Sequence, residues 1–323
     1  MTDRTLQMAR LDELDTAIID ALKADGRTSN QQLSRDLGVT SAAIGQRLRR
    51  LEREDVLRIV LVSDFALTGA DLLLAVGIHV HGRSARSVAA DLARLPQVFS
   101  ASTMMGRYNV EALVALSGVD ALRGFVEDEL ARIDGIAQIN FDVAIDMLKY
   151  EFNVVPFVEG LAPTPMASPL LDTFDRDIIA SLADDARKSN RTVADELGVT
   201  EGTVRARLKR LREEDLIRFT ALTNSSKGER RNSVFIRIRA EISRLRAVAE
   251  AIADIPEARC VIVIAGTHNI LVIGQFDENL SADAPINRIY ALPGVLSIET
   301  SSIAESLKYN FRVAKIIPRA KPG

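Results

Sequence analysis

Two short stretches of this 323-residue chain carry the side chains with the clearest chemistry. Arg47, Arg49 and Arg50 in SAAIGQRLRRLER, and Arg207, Lys209 and Arg210 in EGTVRARLKRLRE, bunch cations as contact with a row of phosphates requires. N-terminal to them stand Ser41, Ala42, Ala43 and Gln46 in the first stretch, and Thr203 and Arg205 in the second. Small residues there let a base pair come close. Gln46 can pair with both polar groups on an adenine edge and Arg205 with those of guanine, each discriminating by about 1–3 kcal/mol. The arginines common to both stretches suit sequence-independent phosphate contacts, and the positions that differ are where bases are read.

Such chemistry needs a helix presented end-on, and the surrounding residues predict one. NQQLSRDLGVTSAAIGQRLRRLER (Asn30–Arg53) returns 160 residues later as NRTVADELGVTEGTVRARLKRLRE (Asn190–Glu213). In each copy Gly38 or Gly198 supplies the positive φ of a helix C-cap, and Thr40 or Thr200 N-caps the next helix. Two helices joined by so short a Gly-containing turn are a helix-turn-helix. At 100° per residue, Ile44, Leu48 and Leu51 form one buried stripe, as do Val204, Leu208 and Leu211. Ala42, Gln46, Arg49 and Arg53 face the other way, matched by Gly202, Ala206 and Lys209. An ordinary solvated basic helix would not explain why the arrangement is built twice.

The repeat extends outward. LDELDTAIIDALKADGR, a helix before the first motif, recurs as LDTFDRDIIASLADDAR, and 21 of the 48 positions from Leu11 to Arg58 are identical to their partners. After each motif a β-prone run, Leu57–Phe65 and Ile217–Thr223, is expected to form the wing of a winged head. Then DLLLAVGIHVH, SARSVAADLARLP, VFSASTMMGRYNVEALVAL, DALRGFVEDELARIDGI and FDVAIDMLKYEF read as strand, helix, two strands bent at Gly106, helix and strand. That βαββαβ order is ferredoxin-like, and it repeats with Gly266 at the second bend and Lys308-Tyr309 matching Lys149-Tyr150. The fold class expected is α+β: winged helix-turn-helix heads and βαββαβ bodies, duplicated in tandem. The plan is head 1–64, body 65–153, a Pro-rich linker 154–170, head 171–227 and body 228–323, with the two bodies packed together as a pseudo-dimer because each open sheet has edges to cover.

Composition fits that plan. The chain is 47% hydrophobic and 26% charged, as in ordinary globular proteins. The net charge of −3 hides local concentration: Arg27–Arg50 holds five basic residues against one acidic, and Arg187–Arg210 seven against three. The polar N-terminus MTDRTLQMAR and the lack of a long apolar run point to the cytoplasm, away from membranes. Cys260, within CVIVIAG, is expected to be a buried strand residue. His79 and His81 share a strand face, but no Cys, Asp or Glu cluster joins them, and no Gly-rich phosphate loop, nucleophile elbow or zinc spacing occurs. Neither metal, cofactor nor catalysis is expected.

The chain resembles the Lrp/AsnC (feast/famine) transcriptional regulators, on LDxxDxxII, Asp25-Gly26-Arg27, the LGVT turn, RLRRLERE, and the body's LPxV, GRYN and DGI segments. The resemblance covers nearly the whole chain, twice. It implies a regulator binding double-stranded DNA, with RAM-type bodies that dimerise and bind a small-molecule effector, an amino acid or related metabolite, between them. The residues placed there by resemblance are Gly106, Arg107, Tyr108 and Asn109, and Gly266, Thr267, His268 and Asn269. It also implies homo-oligomers of whole, pseudo-dimeric chains. Two departures stand out. Asp55 and Asp215 occupy a position that is usually Gly, so an altered turn is expected. Asn109 and Asn269 replace the Asp of Gly-x-Tyr-Asp, removing a charge that an ammonium group would pair with. Haem-biosynthesis decarboxylases resemble the same head-and-body plan and form one alternative; a metabolite sensor without DNA binding is another.

Overall fold

A computed structural model describes residues 11–151, 167–224, 231–277, 283–310, 312–314 and 316. In chain order the first head contributes α1 (Glu13–Ala24), α2 (Asn30–Leu37), α3 (Ser41–Arg53) and β1 (Leu57–Asp64). The first body supplies β2 (Leu72–Val80), α4 (Ala85–Arg94), β3 (Val98–Met105), β4 (Val110–Leu116), α5 (Gly118–Gly124) and β5 (Ile136–Tyr150). The second head follows with α6 (Thr173–Ser181), α7 (Asn190–Leu197), α8 (Glu201–Glu213) and β6 (Ile217–Thr223). The second body supplies β7 (Arg231–Ala240), α9 (Leu245–Ala253), β8 (Ala258–Ala265), β9 (Ile270–Asp277), α10 (Asp283–Tyr290) and β10 (Val295–Tyr309). Most of the Pro-rich linker, 154–166, lies outside the described residues. Among those described, no helix is long and apolar enough to cross a membrane.

Contacts gather these elements into two compact units that cut across chain order: the heads, up to Ser63 and from Leu171 to Arg230, and the bodies, from Asp64 to Leu170 and from Arg231 on. In the head unit, α1 and α6 each open with a reciprocal capping box, Asp12 with Asp15 and Asp172 with Asp175. Gly38 and Gly198 end α2 and α7 at φ 68° and 67°, and the Thr40 hydroxyl accepts from the Ala43 N–H at 3.2 Å. The predicted stripe Ile44, Leu48 and Leu51 is buried with Ile18, Leu22 and Leu33.

The β-prone runs expected as wings form the strands β1 and β6. β1 and β6 pair antiparallel with each other, Leu57 against Thr223 through Ser63 against Ile217, and so join the heads. Each strand finds in its copy the hydrogen-bonding edge that a lone strand lacks. Two arginines reinforce the joint reciprocally. Arg27 donates to the Ala186 and Lys188 carbonyls at 3.0 and 2.9 Å and to Asn190 Oδ1 at 2.8 Å. Arg187 donates to the Thr28 carbonyl and Asn30 Oδ1, both at 3.2 Å.

In the body unit each half forms the predicted antiparallel sheet, ordered β3-β4-β2-β5 and β8-β9-β7-β10. Helices cover one face: Val88, Ala89 and Leu92 of α4 pack on Val76, Ile78 and Val110, while Val248, Ala249 and Ile252 of α9 pack on Ile236, Ile238 and Ile270. After α5 the chain widens into a π turn, Phe125–Glu129, and tightens into a 3₁₀ turn, Leu130–Arg132, where one regular helix is expected from sequence. The bodies meet by their edges. β5 pairs with β2 and then crosses to β8, while β10 pairs with β7 and crosses to β3, closing an eight-stranded barrel. Closure leaves no free edge.

Candidate nucleic-acid interface

In α3, thirteen residues long, Ile44, Leu48 and Leu51 face inward, leaving Ser41, Ala42, Gln46, Arg49 and Arg53 exposed and Ala43 partly so. In α8 the exposed counterparts are Glu201, Gly202, Thr203, Arg205, Ala206, Lys209 and Glu213. Every tip position singled out from sequence therefore lies on the outward side of its helix.

The arginines common to both copies hold the heads together. Arg47 Nη1 meets Asp12 at 2.6 Å and Asp15 at 2.9 Å, and Arg50 meets the other oxygen of Asp15. In the second head Arg207 pairs with Asp172 and, at 3.3 Å, with Asp175, while Arg210 pairs with Asp175 at 2.5 Å. Asp15 and Asp175 are fully buried, so removing their arginines would leave a carboxylate without a counter-ion in the core. The Arg47 guanidinium, then the Asp15 N–H, hold Asp12 below the usual carboxylate range. For Asp172 the Asp175 N–H comes first and Arg207 second. Arg47, Arg50, Arg207 and Arg210 thus have a structural role within their own heads, beside the phosphate contacts expected from sequence. The signal was present in the sequence: LDxxD recurs with the arginines, at a constant spacing of 35 residues.

The turn after each helix keeps a conformation natural to glycine. Asp55 and Asp215 adopt φ 55° and 52°. Asp55 is held by Asn224 Nδ2 at 2.8 Å and by Arg58 at 3.3 Å.

The body loops expected to bind an effector divide into buried and accessible residues. Gly106, at φ 154°, lies where a Cβ would collide with Ser301 of the opposite body. The Val80 N–H donates to Asn109 Oδ1 at 2.8 Å, and Asn269 exchanges two hydrogen bonds with the Ala240 backbone at 2.8 and 2.7 Å. Both asparagines therefore pin their own hairpins. Tyr108 is buried, its hydroxyl accepting from Asn140 Nδ2 at 2.7 Å, and His268 is buried with Nε2 3.7 Å from Glu299. Burial pulls the His268 pKa below its ordinary value. Arg107, 2.6 Å from Glu299, and Thr267 remain exposed, as does Gly266, packed against Asp142. Of the other histidines, His79 lies with its ring centroid 5.2 Å from that of Tyr108 and His81 is exposed. Among the described residues no group of three His, Cys, Asp or Glu side chains is placed to hold a metal. Cys260 is buried on β8.

Sequence reading did not find the polar centre of the barrel. Arg237 on β7 is 2% exposed and binds Glu111 of β4 through both Nη atoms, at 2.5 and 2.9 Å, and Asp142 of β5 through Nε at 3.0 Å. These carboxylates hold the guanidinium charged against the cost of burial, while burial pushes the Glu111 carboxyl up. The equivalent of Arg237 in the first body is Gly77, where a Cβ would strike the Tyr108 ring.

Known proteins share these features. The model of the Lrp/AsnC ligand binding domain matches residues 74–154 and 233–313, just over half of the chain. The AsnC-type helix-turn-helix domain matches 11–52, and a winged helix-turn-helix DNA-binding model matches 171–218. An uncharacterized HTH-type transcriptional regulator of Pyrococcus abyssi is 29% identical over 145 residues, covering 44% of this chain and 91% of its own. One from Pyrococcus horikoshii is 28% identical over 147 residues, covering 45% and 99%. Among solved structures, the siroheme decarboxylase NirDL aligns over 94% of both chains with a TM-score of 0.64 and 14% sequence identity, a likeness of fold.

Proposed function

Because the chain belongs to the Lrp/AsnC family of transcriptional regulators, we propose that it grips an operator in double-stranded DNA with α3 and α8 and responds to a small metabolite at the bodies. The observation that carries this reading is the pair of outward stripes, Ala42-Gln46-Arg49-Arg53 and Gly202-Ala206-Lys209, on two heads joined through β1 and β6. Small residues at the helix start and long polar ones behind it suit entry into a major groove. Base reading falls to Ser41, Ala42, Ala43, Gln46, Thr203 and Arg205, and phosphate contact to Arg49 and Lys209. Arg107 and Thr267, exposed on the body loops, are the effector contacts, acting in the cytoplasm within oligomers of whole chains. Coupling requires the metabolite to bind one arrangement of the heads better than another.

The test is binding to duplex DNA from upstream of the protein's own gene, across a salt series, beside the double variant Ala42→Asp, Gly202→Asp. Both positions are exposed, so the variant keeps its fold, checked by circular dichroism, while two acids face the phosphates. Tight, steeply salt-dependent binding by the natural protein and a loss of at least tenfold in the variant is the expected result. Equal, weak binding by both would defeat the reading. The fold likeness to NirDL gives a tetrapyrrole enzyme as second reading; a Soret-band shift on adding sirohaem would support it.

A further inference from the structure

The exposed faces of the two recognition helices differ in charge. Outward positions 41, 42, 46, 49 and 53 of α3 are Ser, Ala, Gln, Arg and Arg, with a buried Gly at 45, whereas the equivalents in α8 are Glu, Gly, Ala, Lys and Glu, with an exposed Arg at 205. The first set carries two positive charges and the second none in net. In α8 both cations already face acids on their own helix: Arg205 pairs with Glu201, and Lys209 lies 3.7 Å from Glu213. Arg49 and Arg53 make no ion pair among the described residues.

Counted with the exposed Glu52 and Arg212, the two helices carry equal charge, but these two residues lie toward the joint between the heads and not on the outward face. Arg212 pairs with Asp25 of the first head at 2.8 Å, across the joint. Its counterpart Glu52, also exposed, lies toward Arg187 and Asp185 of the second head. The four arginines bound to Asp12, Asp15, Asp172 and Asp175 contribute equally to both heads.

We propose that the heads divide the work: the first is the phosphate anchor, through Arg49 and Arg53, and the second a selective reader whose Glu201 and Glu213 disfavour DNA in general. This rests on the DNA-binding reading above. Exposed ion pairs are weak, so Arg205 can leave Glu201 for a guanine edge, and Glu201 can then accept from a cytosine amino group. The acids repel phosphate whenever that match is absent, which favours the correct half-site by penalising others. Each phosphate contact adds about 0.9 to the slope of log affinity against log salt. Loss of Arg49 and Arg53 together should therefore flatten the slope by roughly 1.8, about a twelvefold change across a fourfold range of salt.

The experiment is footprinting of the full chain on a selected operator at rising salt, with the charge exchange Arg53→Glu, Glu213→Arg. The exchange keeps the net charge and alters two exposed side chains. In the natural protein one half-site should stay protected to higher salt than the other, and in the exchange variant the order should reverse. Half-sites released together, or an order unmoved by the exchange, would overturn the division of labour while leaving DNA binding intact. No protected site at any salt would overturn both.

Discussion

Arg47 and Arg50 show how a residue's neighbours decide its role. Their type and spacing suit phosphate contact, yet two buried aspartates one helix away claim them. Spacing along one helix was legible; the partner on another helix was not, since it depends on the angle at which α1 crosses α3. Asp55 and Asp215 are a milder case. The departure from glycine was visible in sequence, and the positive φ it costs is visible only in the backbone. Asp215→Gly is therefore expected to stabilise the heads by about 0.5–1 kcal/mol. Asp55→Gly should gain less, because it gives up the bonds to Asn224 and Arg58. Urea midpoints of the two variants, compared with the natural protein, would check both the sign and the order.

At the scale of elements, hydrophobic periodicity identified the helices and strands of all four modules, because each buries one face on its own sheet or bundle. It did not show which edges meet. β1 reads as a wing from local pattern alone, and its pairing with β6 depends on a residue 160 positions away. The barrel seam is similar, and two lysines lock it. Lys149, near the end of β5, donates to the Ala253 and Ile255 carbonyls at 3.1 and 3.2 Å, at the C-terminus of α9 in the other body. Lys308, near the end of β10, donates to the Leu95 carbonyl at 2.9 Å, at the end of α4. Each satisfies carbonyls that a helix leaves open, with charge of the favoured sign. The sequence shows the Lys-Tyr repeat but not its purpose. Lys308→Met should cost about 1.5–3 kcal/mol and Lys149→Met less, since Lys308 is the more buried. Chemical denaturation followed in the bodies would show it, and equal, negligible effects would remove the lysines from the seam.

For the whole molecule, tandem fusion frees the two heads from identity. A dimer of identical chains reads near-palindromes because its symmetry demands it. Here Gln46 faces Ala206 in the internal comparison, and Gly45 faces Arg205. Selection from random duplexes should return sites whose halves differ, and recovery of perfect palindromes alone would show that the divergent tips read nothing. The duplication was plain in the sequence, and so was the family. The packing of the two bodies on each other was expected from their open sheet edges, but the joining of the heads into one unit was not legible, because chain order conceals it.

Arg237 gives that fusion a direction in time. When one gene supplies both halves of a dimer, every mutation is inherited twice in the assembled protein. A lone arginine at the centre of the barrel became possible only after the copies could mutate separately. Two copies of the second body would now bring two arginines facing Leu271 and Ser301, where Glu111 and Asp142 stand in the first. Two copies of the first would bring four carboxylates and Gly77 in the arginine's place. Neither half can any longer replace the other, so the gene has passed a ratchet: splitting it would not restore its symmetric ancestor.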